Sequence, residues 1–185
     1  RKEIQTWRLA LMAIDHIDTP RYNRYFDLVD DLRTDGTYKT QSLLRKSATL
    51  SVDFQIRNGK TGELNEKASK LFQQKWFYKY LGMELEAKIE GTRIIEFLEF
   101  DGHNIKFAVV PPRNTVPSQK RIYPDLGKDK VFIQYDDPIH KMWVIELNPD
   151  NPLGIINDII PNLIWKRNVT QSWAEFCEKF GMPMV

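Results

Sequence analysis

The three histidines are the first residues to consider for catalysis or metal binding, because imidazole serves both chemistries near neutral pH. They are His16, His103 and His140. A histidine-based zinc site commonly places two imidazoles at positions i and i+4 of one helix, and no such pair occurs here. Asp136 and Asp137 lie close before His140, but this polar stretch is more typical of a solvated turn. We therefore expect no metal site.

A second candidate is the segment Gly59-Lys60-Thr61, which matches the end of a phosphate-binding loop. The complete motif needs another glycine five positions earlier, and Phe54 occupies that position. Phe54 belongs to a run of alternating apolar residues, so the backbone there is not free to wrap a phosphate. We predict a turn and no nucleotide cofactor.

The remaining reactive side chains also favour structural roles. Cys177 lies between Phe176 and Phe180 on an apolar helical stripe, which predicts a buried, unreactive thiol. Glu96 and Glu99 carry carboxylates on a predicted strand, without a second acidic pair that would hold a metal ion. We interpret them as the solvated face of that strand, and we expect no catalytic residue and no cofactor.

Composition limits the classes of protein to which the chain can belong. It has 185 residues, 27 basic and 25 acidic side chains, a formal net charge of +2 and one cysteine. This balance is ordinary for a globular domain and argues against an obligate nucleic-acid binder, a disordered chain or a disulfide-stapled fold. No apolar run approaches the roughly 18 residues of a membrane span. Because the chain starts without methionine, we expect it to be a piece of a longer protein.

Apolar spacing predicts a mainly helical first half with one strand. We predict a helix over residues 4–14, and a second that starts at Thr19-Pro20 and ends near Asp35-Gly36. A short third helix would cover residues 38–46. The alternation between Leu50 and Ile56 predicts a half-buried strand. Asn65 then caps a long central helix from Glu66 to about Lys88, with Gly82 as a possible break.

The second half alternates at period two and then returns to helical spacing. Asp101-Gly102 predicts a tight hairpin turn between two strands. Pro161 is expected to break or kink the last helical region. The fold class is therefore α+β, with N-terminal helices, a long central helix, an antiparallel β region and C-terminal helices. We divide the single unit 1–185 into a helical part with one strand, a β region and C-terminal helices: 1–90, 91–148 and 149–185.

The aromatic residues of the last region are candidates for an interface. Trp165 and Trp173 are eight residues apart, so they lie on roughly one side of a helix, and Phe176 follows one turn later. Core packing explains them, since large aromatics are mostly buried; a subunit interface is the alternative, since aromatic anchors are enriched there. Trp76 with Tyr80 is a second choice for such an interface.

The basic residues allow a similar pair of interpretations. Lys166-Arg167 lies between the apolar stripes of the last helical region, and Lys120-Arg121 is followed by Lys128 and Lys130. These side chains are ordinary surface charge or contacts to nucleic-acid phosphates. Because both signs of charge are interspersed along the chain, surface charge is the simpler explanation.

The C-terminal run resembles one known family. It contains Leu153-Gly154-Ile155, then Trp165-Lys166-Arg167, then Ser172-Trp173-Ala174-Glu175-Phe176. It closes with glutamate-x-phenylalanine-glycine-x-proline at positions 178–183. This pattern is similar to that of the Mu-like phage portal proteins, a family first catalogued as a domain of unknown function.

The upstream resemblance is looser but keeps the same order along the chain. The segments involved are 20–31, 43–56, 89–96 and 109–113. The sequence departs from the family pattern at Trp143-Val144-Ile145-Glu146, which replaces a strand end that contains histidine, and the preceding loop is short.

The resemblance implies a structural protein, not an enzyme. Portals form homo-oligomeric rings at one capsid vertex of the virion, assemble in the cytoplasm of the bacterial host, and contact terminase and capsid proteins. Double-stranded DNA passes through the ring without sequence-specific recognition, and no membrane is involved. The resemblance implies Trp165, Trp173 and Phe176 as subunit-interface residues and Lys166 and Arg167 as DNA contacts. The alternatives are a phage head-associated nuclease or protease subunit, and a small nucleic-acid-binding module.

Overall fold

The computed structural model describes residues 2–128 and 130–181 of the chain. Within them, six α-helices accompany two small antiparallel sheets of three strands each, which confirms the α+β class. The helices are α1 Lys2–Ile14, α2 Asn23–Leu32, α3 Gly36–Leu50, α4 Glu66–Phe72, α5 Lys75–Glu90 and α6 Ile156–Phe180. The strands are β1 Arg93–Phe100, β2 Ile105–Val110, β3 Thr115–Val116, β4 Arg121–Ile122, β5 Ile133–Gln134 and β6 Val144–Leu147.

The larger sheet has the strand order β2-β1-β6 and contains the predicted hairpin. The Asp101 carboxylate closes the hairpin turn by accepting hydrogen bonds from the backbone N–H groups of His103 and Asn104, at 2.9 and 2.6 Å. In the register of the sheet, Ile95 on β1 lies opposite Val109 on β2 and Ile145 on β6. The smaller sheet, β3-β4-β5, consists of two-residue strands.

Two hydrophobic clusters hold these elements together. In the first, α1 and α2 pack against the first half of α6, where Ile156, Ile160 and Ile164 recur every fourth residue and are completely or almost completely buried. In the second, Ala87 of α5 packs on the larger sheet against Ile95 and Phe107. Each fully buried aliphatic side chain contributes about 1.5–3 kcal/mol, so these clusters fix the position of α6 and of the sheet.

The predicted strand between Leu50 and Ile56 is wrong. Helix α3 continues through Leu50, and the residues after it form a turn and an irregular extended segment with one isolated bridge, from Arg57 to Leu64. The burial follows the alternation only at Phe54 and Ile56, which are half-buried, whereas Val52 is exposed. Phe54 packs on Phe77 of α5, with ring centroids 5.3 Å apart, so an aromatic cluster takes the place of a neighbouring strand.

The predicted long central helix is divided into α4 and α5 at Gln73-Gln74, whereas Gly82 stays within α5. The predicted cap is confirmed, because the Asn65 side chain accepts a hydrogen bond from the Ala68 N–H at 3.0 Å. At the break, the side-chain amide of Gln74 donates to the Lys70 carbonyl at 3.1 Å. This side chain replaces the backbone donor that a continuous helix would supply at that carbonyl.

The structure also corrects a predicted helix start and a predicted helix break, both at prolines. Helix α2 begins at Asn23 and not at Pro20, because the linker between α1 and α2 folds back so that the Arg21 N–H donates to the Ala13 carbonyl at 2.9 Å. Pro161 lies inside α6 without ending it, so the C-terminal region is one 25-residue helix and not several. Neighbouring Ile160 and Ile164 anchor this part of α6 in the core.

A buried network of charges joins the helices to the sheet. The Glu90 carboxylate, at the end of α5, accepts hydrogen bonds from the guanidinium groups of Arg93 and Arg33 and from the Tyr38 hydroxyl, the last at 3.1 Å. Next to it, burial opposes ionisation of Glu86, but Lys46 and the two arginines outweigh burial and lower the pKa of Glu86. The network therefore connects α2, α3, α5 and β1 through one nearly inaccessible carboxylate.

Beside this network, two glycines allow the segment after α5 and the segment before α6 to pass in close contact. Gly91, with φ of 104°, ends α5, and Gly154, with φ of 67°, precedes α6. A Cβ on Gly154 would lie 2.6 Å from the Ile89 carbonyl oxygen and closer still to the Gly91 nitrogen. The crossing is held by the Ile155 N–H, which donates to the Lys88 carbonyl at 3.2 Å. Only glycine fits at both positions.

We predict that Arg93→Met strongly destabilises the protein. The substitution leaves the Glu90 carboxylate buried with fewer partners, which typically costs about 3–5 kcal/mol. The matched control is Lys106→Met, because Lys106 pairs with Glu99 on an exposed surface. Urea denaturation followed by tryptophan fluorescence measures the unfolding midpoint of both variants. Equal midpoints would contradict a large contribution of the buried network to stability.

We predict that Gly154→Ala lowers the free energy of unfolding by at least about 2 kcal/mol, because it adds a positive-φ penalty to a backbone clash. The matched control is Gly82→Ala, which lies within α5 with nothing within 4 Å of its added methyl group. That control is expected to be neutral or to stabilise α5 by about 0.5–1 kcal/mol. Denaturation midpoints that move in the same direction for both variants would contradict the crossing argument.

Candidate functional site

Helix α6 has two halves with different surroundings. Its first half is anchored in the core, whereas every residue from Val169 to Phe180 is exposed. At 1.5 Å per residue, this exposed half extends for about 18 Å. A helix of this length is marginal in water without tertiary contacts. The second half of α6 is thus the part of the described structure that most needs a partner.

The large apolar residues of this exposed half, together with Trp165 one turn before it, form one continuous stripe, which we call the α6 stripe. Its members follow one another at intervals of four, four, three and four positions, so they lie on one side of the helix. Trp173 stacks on Phe176, with ring centroids 6.0 Å apart, and Phe176 lies 5.0 Å from Phe180. The members are Trp165, Val169, Trp173, Phe176 and Phe180.

The three residues predicted for a subunit interface belong to this stripe. Trp165 is 57% exposed, Trp173 66% and Phe176 54%. Packing in the core of the described chain, the first explanation that the sequence suggested, is therefore wrong for these three residues. Their assignment to an interface between subunits stays a prediction.

The second choice for an interface is not available for contact. Trp76 is buried against Phe72 and Phe77, and its indole N–H donates to the Leu71 carbonyl at 3.2 Å. Tyr80 is half-buried in the same aromatic cluster. These side chains stabilise the junction of α4 and α5.

The two predicted DNA contacts are engaged within the chain. Lys166 Nζ lies 2.8 Å from an Asp35 carboxylate oxygen and also donates to Thr37 Oγ1 at 2.9 Å. Arg167 pairs with Asp31 at 2.6 Å. Both cations fasten α6 to the turn between α2 and α3, which positions the α6 stripe. Their contact with DNA remains a prediction.

The reactive groups considered first are dispersed. No group of three or more histidine, cysteine, aspartate or glutamate side chains within residues 2–128 and 130–181 has a geometry that could hold a metal ion. Gly59 and Lys60 form a turn after Asn58, whose side chain accepts from the Lys60 N–H at 2.9 Å. Glu96 and Glu99 are exposed, as predicted. Cys177 is exposed, so the prediction of a buried thiol is wrong.

The reason for the error at Cys177 is also the reason for the exposed tryptophans. An apolar stripe at helical spacing indicates which side of a helix avoids water, but not whether the partner belongs to the same chain. In the first half of α6 the partner is the core of the same chain. In the second half no part of the described chain packs on the stripe.

Sequence reasoning missed a cleft of about 100 Å³ between the α1–α2 linker and the smaller sheet. Three arginines from distant positions line it: Arg21, Arg113 and Arg121. Arg113 pairs with Asp27 at 2.7 Å, and the Arg121 guanidinium lies 4.2 Å from the centre of the Phe132 ring. No local pattern signals this cleft, since its walls are about a hundred positions apart in the chain.

We predict that Asp35→Asn weakens the attachment of α6. Asparagine still caps α3, where Asp35 now accepts from the Tyr38 N–H at 2.9 Å, but it loses the ion pair with Lys166. The Lys166 hydrogen bond, followed by that of Tyr38, lowers the pKa of Asp35. The stabilisation is therefore present above the unfolded-state pKa and is lost as the pH falls through the folded-state pKa.

Urea denaturation at about pH 7 is expected to show a loss of about 0.5–1 kcal/mol for Asp35→Asn. Between about pH 7 and pH 3 the variant is expected to lose less stability than the wild type, since it lacks this titrating pair. Asp35→Ala, which removes both cap and pair, serves as the more severe comparison. Identical pH dependence in the wild type and Asp35→Asn would contradict the role of the pair.

Comparison with known proteins adds the identity that the geometry alone does not supply. Among the described residues, no helix has both the length and the apolar character that crossing a membrane requires. No curated protein and no solved structure matched the chain. A family model described as the portal protein of Mu bacteriophage matches residues 26–185, which include most of α2, helices α3 to α6, both sheets and the α6 stripe. The chain therefore belongs to the family of the Mu bacteriophage portal protein.

Proposed function

We propose that this protein is a subunit of the portal ring at the capsid vertex, through which DNA is packaged and ejected. Its family is structural, with a role in the capsid and in DNA packaging. The ring, its position at one vertex, its assembly in the host cytoplasm and its contacts with terminase and capsid proteins extend that family-level role. The single observation that supports assembly is the exposed α6 stripe.

The α6 stripe supports a contact with a second copy of the chain. Three large aromatic side chains on one helix face bury substantial area when covered, and aromatic residues are enriched at the energetic centres of interfaces. A ring uses head-to-tail contacts, in which one surface of each copy packs on a different surface of the next. A projecting helix is suited to this arrangement because its stripe can reach a neighbour without competing with the chain's own core.

The attachment of α6 supports the same proposal. The ion pairs of Lys166 and Arg167 with Asp35 and Asp31 fix the base of the projecting half, so the direction of the stripe is set before a partner binds. Preorganisation of this kind reduces the entropy that association costs. This role leaves Lys166 and Arg167 with neutralised charges, which makes them weak candidates for contacts with phosphates.

We predict that the double substitution Trp173→Ala and Phe176→Ala prevents ring assembly while the subunit stays folded. Both side chains are exposed, so their loss removes little from the core. Interface aromatics at energetic centres contribute at least about 2 kcal/mol each, so each of the two substitutions is expected to weaken the subunit contact at least roughly 30-fold. Electron microscopy and light scattering measure the ring, and circular dichroism checks the fold.

Trp143→Ala is the matched control, because Trp143 is 54% exposed and lies outside α6, just before β6. This variant is expected to assemble like the wild type. Rings formed by the double variant, or loss of rings in the Trp143→Ala control alone, would contradict the assignment of the α6 stripe to the subunit contact. A compact monomer with nuclease activity would contradict the portal proposal itself.

A further inference from the structure

Four lysines lie along α4 and the first half of α5, and we call them the lysine row. They are Lys67, Lys70, Lys75 and Lys79. All four are exposed. Lys67 and Lys70 are one turn apart on α4, and Lys75 and Lys79 are one turn apart on α5. The break between the two helices therefore separates two pairs of cations.

The lysine row differs from Lys120, Lys166 and Arg167 because its charges are not neutralised by carboxylates of the described residues. None of its members forms an ion pair with a carboxylate of residues 2–128 or 130–181. By contrast, Lys166, Arg167 and Lys120 all hold carboxylates within the chain. The ammonium group of Lys79 lies 4.8 Å from the centre of the Phe107 ring, a contact that keeps its charge.

A cleft lies beside the row. Lys67 and Lys70 line it from α4, Gln73 and Gln74 line it from the break, and the tip of the β1–β2 hairpin closes the opposite side at His103. The walls thus present ammonium groups beside two side-chain amides that donate to backbone carbonyls of the chain itself. Lys79 of α5 contacts Phe107 on β2, so this member of the row also lies beside the β1–β2 hairpin.

We propose that the lysine row contacts the sugar-phosphate backbone of double-stranded DNA. This inference rests on the proposed portal function and specifies which surface of the subunit faces the DNA. Lysine is a point charge on a flexible stem, whereas arginine binds a phosphate through a rigid fork. Flexible lysines suit a backbone that moves past them, because phosphate contacts carry no sequence information and each makes only a modest contribution.

The small size of the row agrees with a protein whose formal net charge is only +2. A few unpaired cations on one surface attract DNA weakly and reversibly, and a large basic patch would hold it in place. Repetition of the row in each subunit of a ring would present phosphates with similar contacts around the channel. The lysine row therefore guides DNA through weak phosphate contacts and does not recognise its sequence.

The experiment compares two variants with the same change in net charge. The first replaces all four members of the lysine row with glutamine. The matched control replaces four exposed lysines that lie in separate parts of the chain, Lys39, Lys60, Lys141 and Lys179, with glutamine. Fluorescence anisotropy measures binding of a labelled DNA duplex at salt concentrations from about 50 to about 200 mM, and electron microscopy of the same samples scores rings.

Four phosphate contacts give a log–log salt slope of about −3.6, which corresponds to roughly a 100-fold fall in affinity over that range of salt. The variant of the lysine row is expected to lose this component of the salt dependence, and the control to keep it. Equal losses in both variants would overturn the proposal by showing that only net charge matters. Unchanged binding in the first variant would also overturn it, and would leave the row available to an acidic protein segment.

The two proposals fail in different ways in this experiment. If the intact wild-type protein, with any segments beyond this sequence, forms no rings, the portal function fails whatever its affinity for DNA. If rings form and the variant of the lysine row binds DNA like the wild type, only the assignment of the DNA-facing surface fails.

Discussion

The arrangement of this protein depends on one buried carboxylate. Glu90 ends α5 and accepts hydrogen bonds from Arg93 at the start of β1, from Arg33 after α2 and from Tyr38 in α3. A charge out of contact with water must keep all of its partners, so the four elements cannot shift independently. Gly91 follows directly, and its contact with Gly154 brings the start of α6 against the same junction. The direction of α6 is thus set where helices and sheet meet.

Because of that direction, the first part of α6 packs in the core and the second part is exposed. Its isoleucines continue the core formed with α1 and α2, and its aromatic residues continue the same helix beyond the last core contact. A long helix anchored at one end presents an apolar stripe at a fixed distance from the body of the subunit. The proposed assembly needs this combination, because a contact between copies requires both an apolar surface and a defined orientation.

The basic side chains also fall into two groups, those paired with carboxylates of the subunit and those without such a partner among the described residues. Lys166 and Arg167 fasten α6 to Asp35 and Asp31, and so they support the geometry of the subunit. The lysine row has no such partners among the described residues, and it borders a cleft closed by the β1–β2 hairpin. Counting basic residues along the sequence does not separate these groups. Their separation depends on which carboxylates the fold brings within reach.

The sequence by itself determined the α+β class, the hairpin at Asp101, the cap at Asn65 and the apolar stripes of α6, because each depends on contacts or spacing within a few residues. Only the tertiary structure decided that residues 50–56 form no strand, since a strand needs a partner and Phe54 packs on Phe77 instead. It also decided which stripe of α6 is core and which is exposed. Periodicity shows that a helix face avoids water, whereas the three-dimensional arrangement of distant residues decides what covers it.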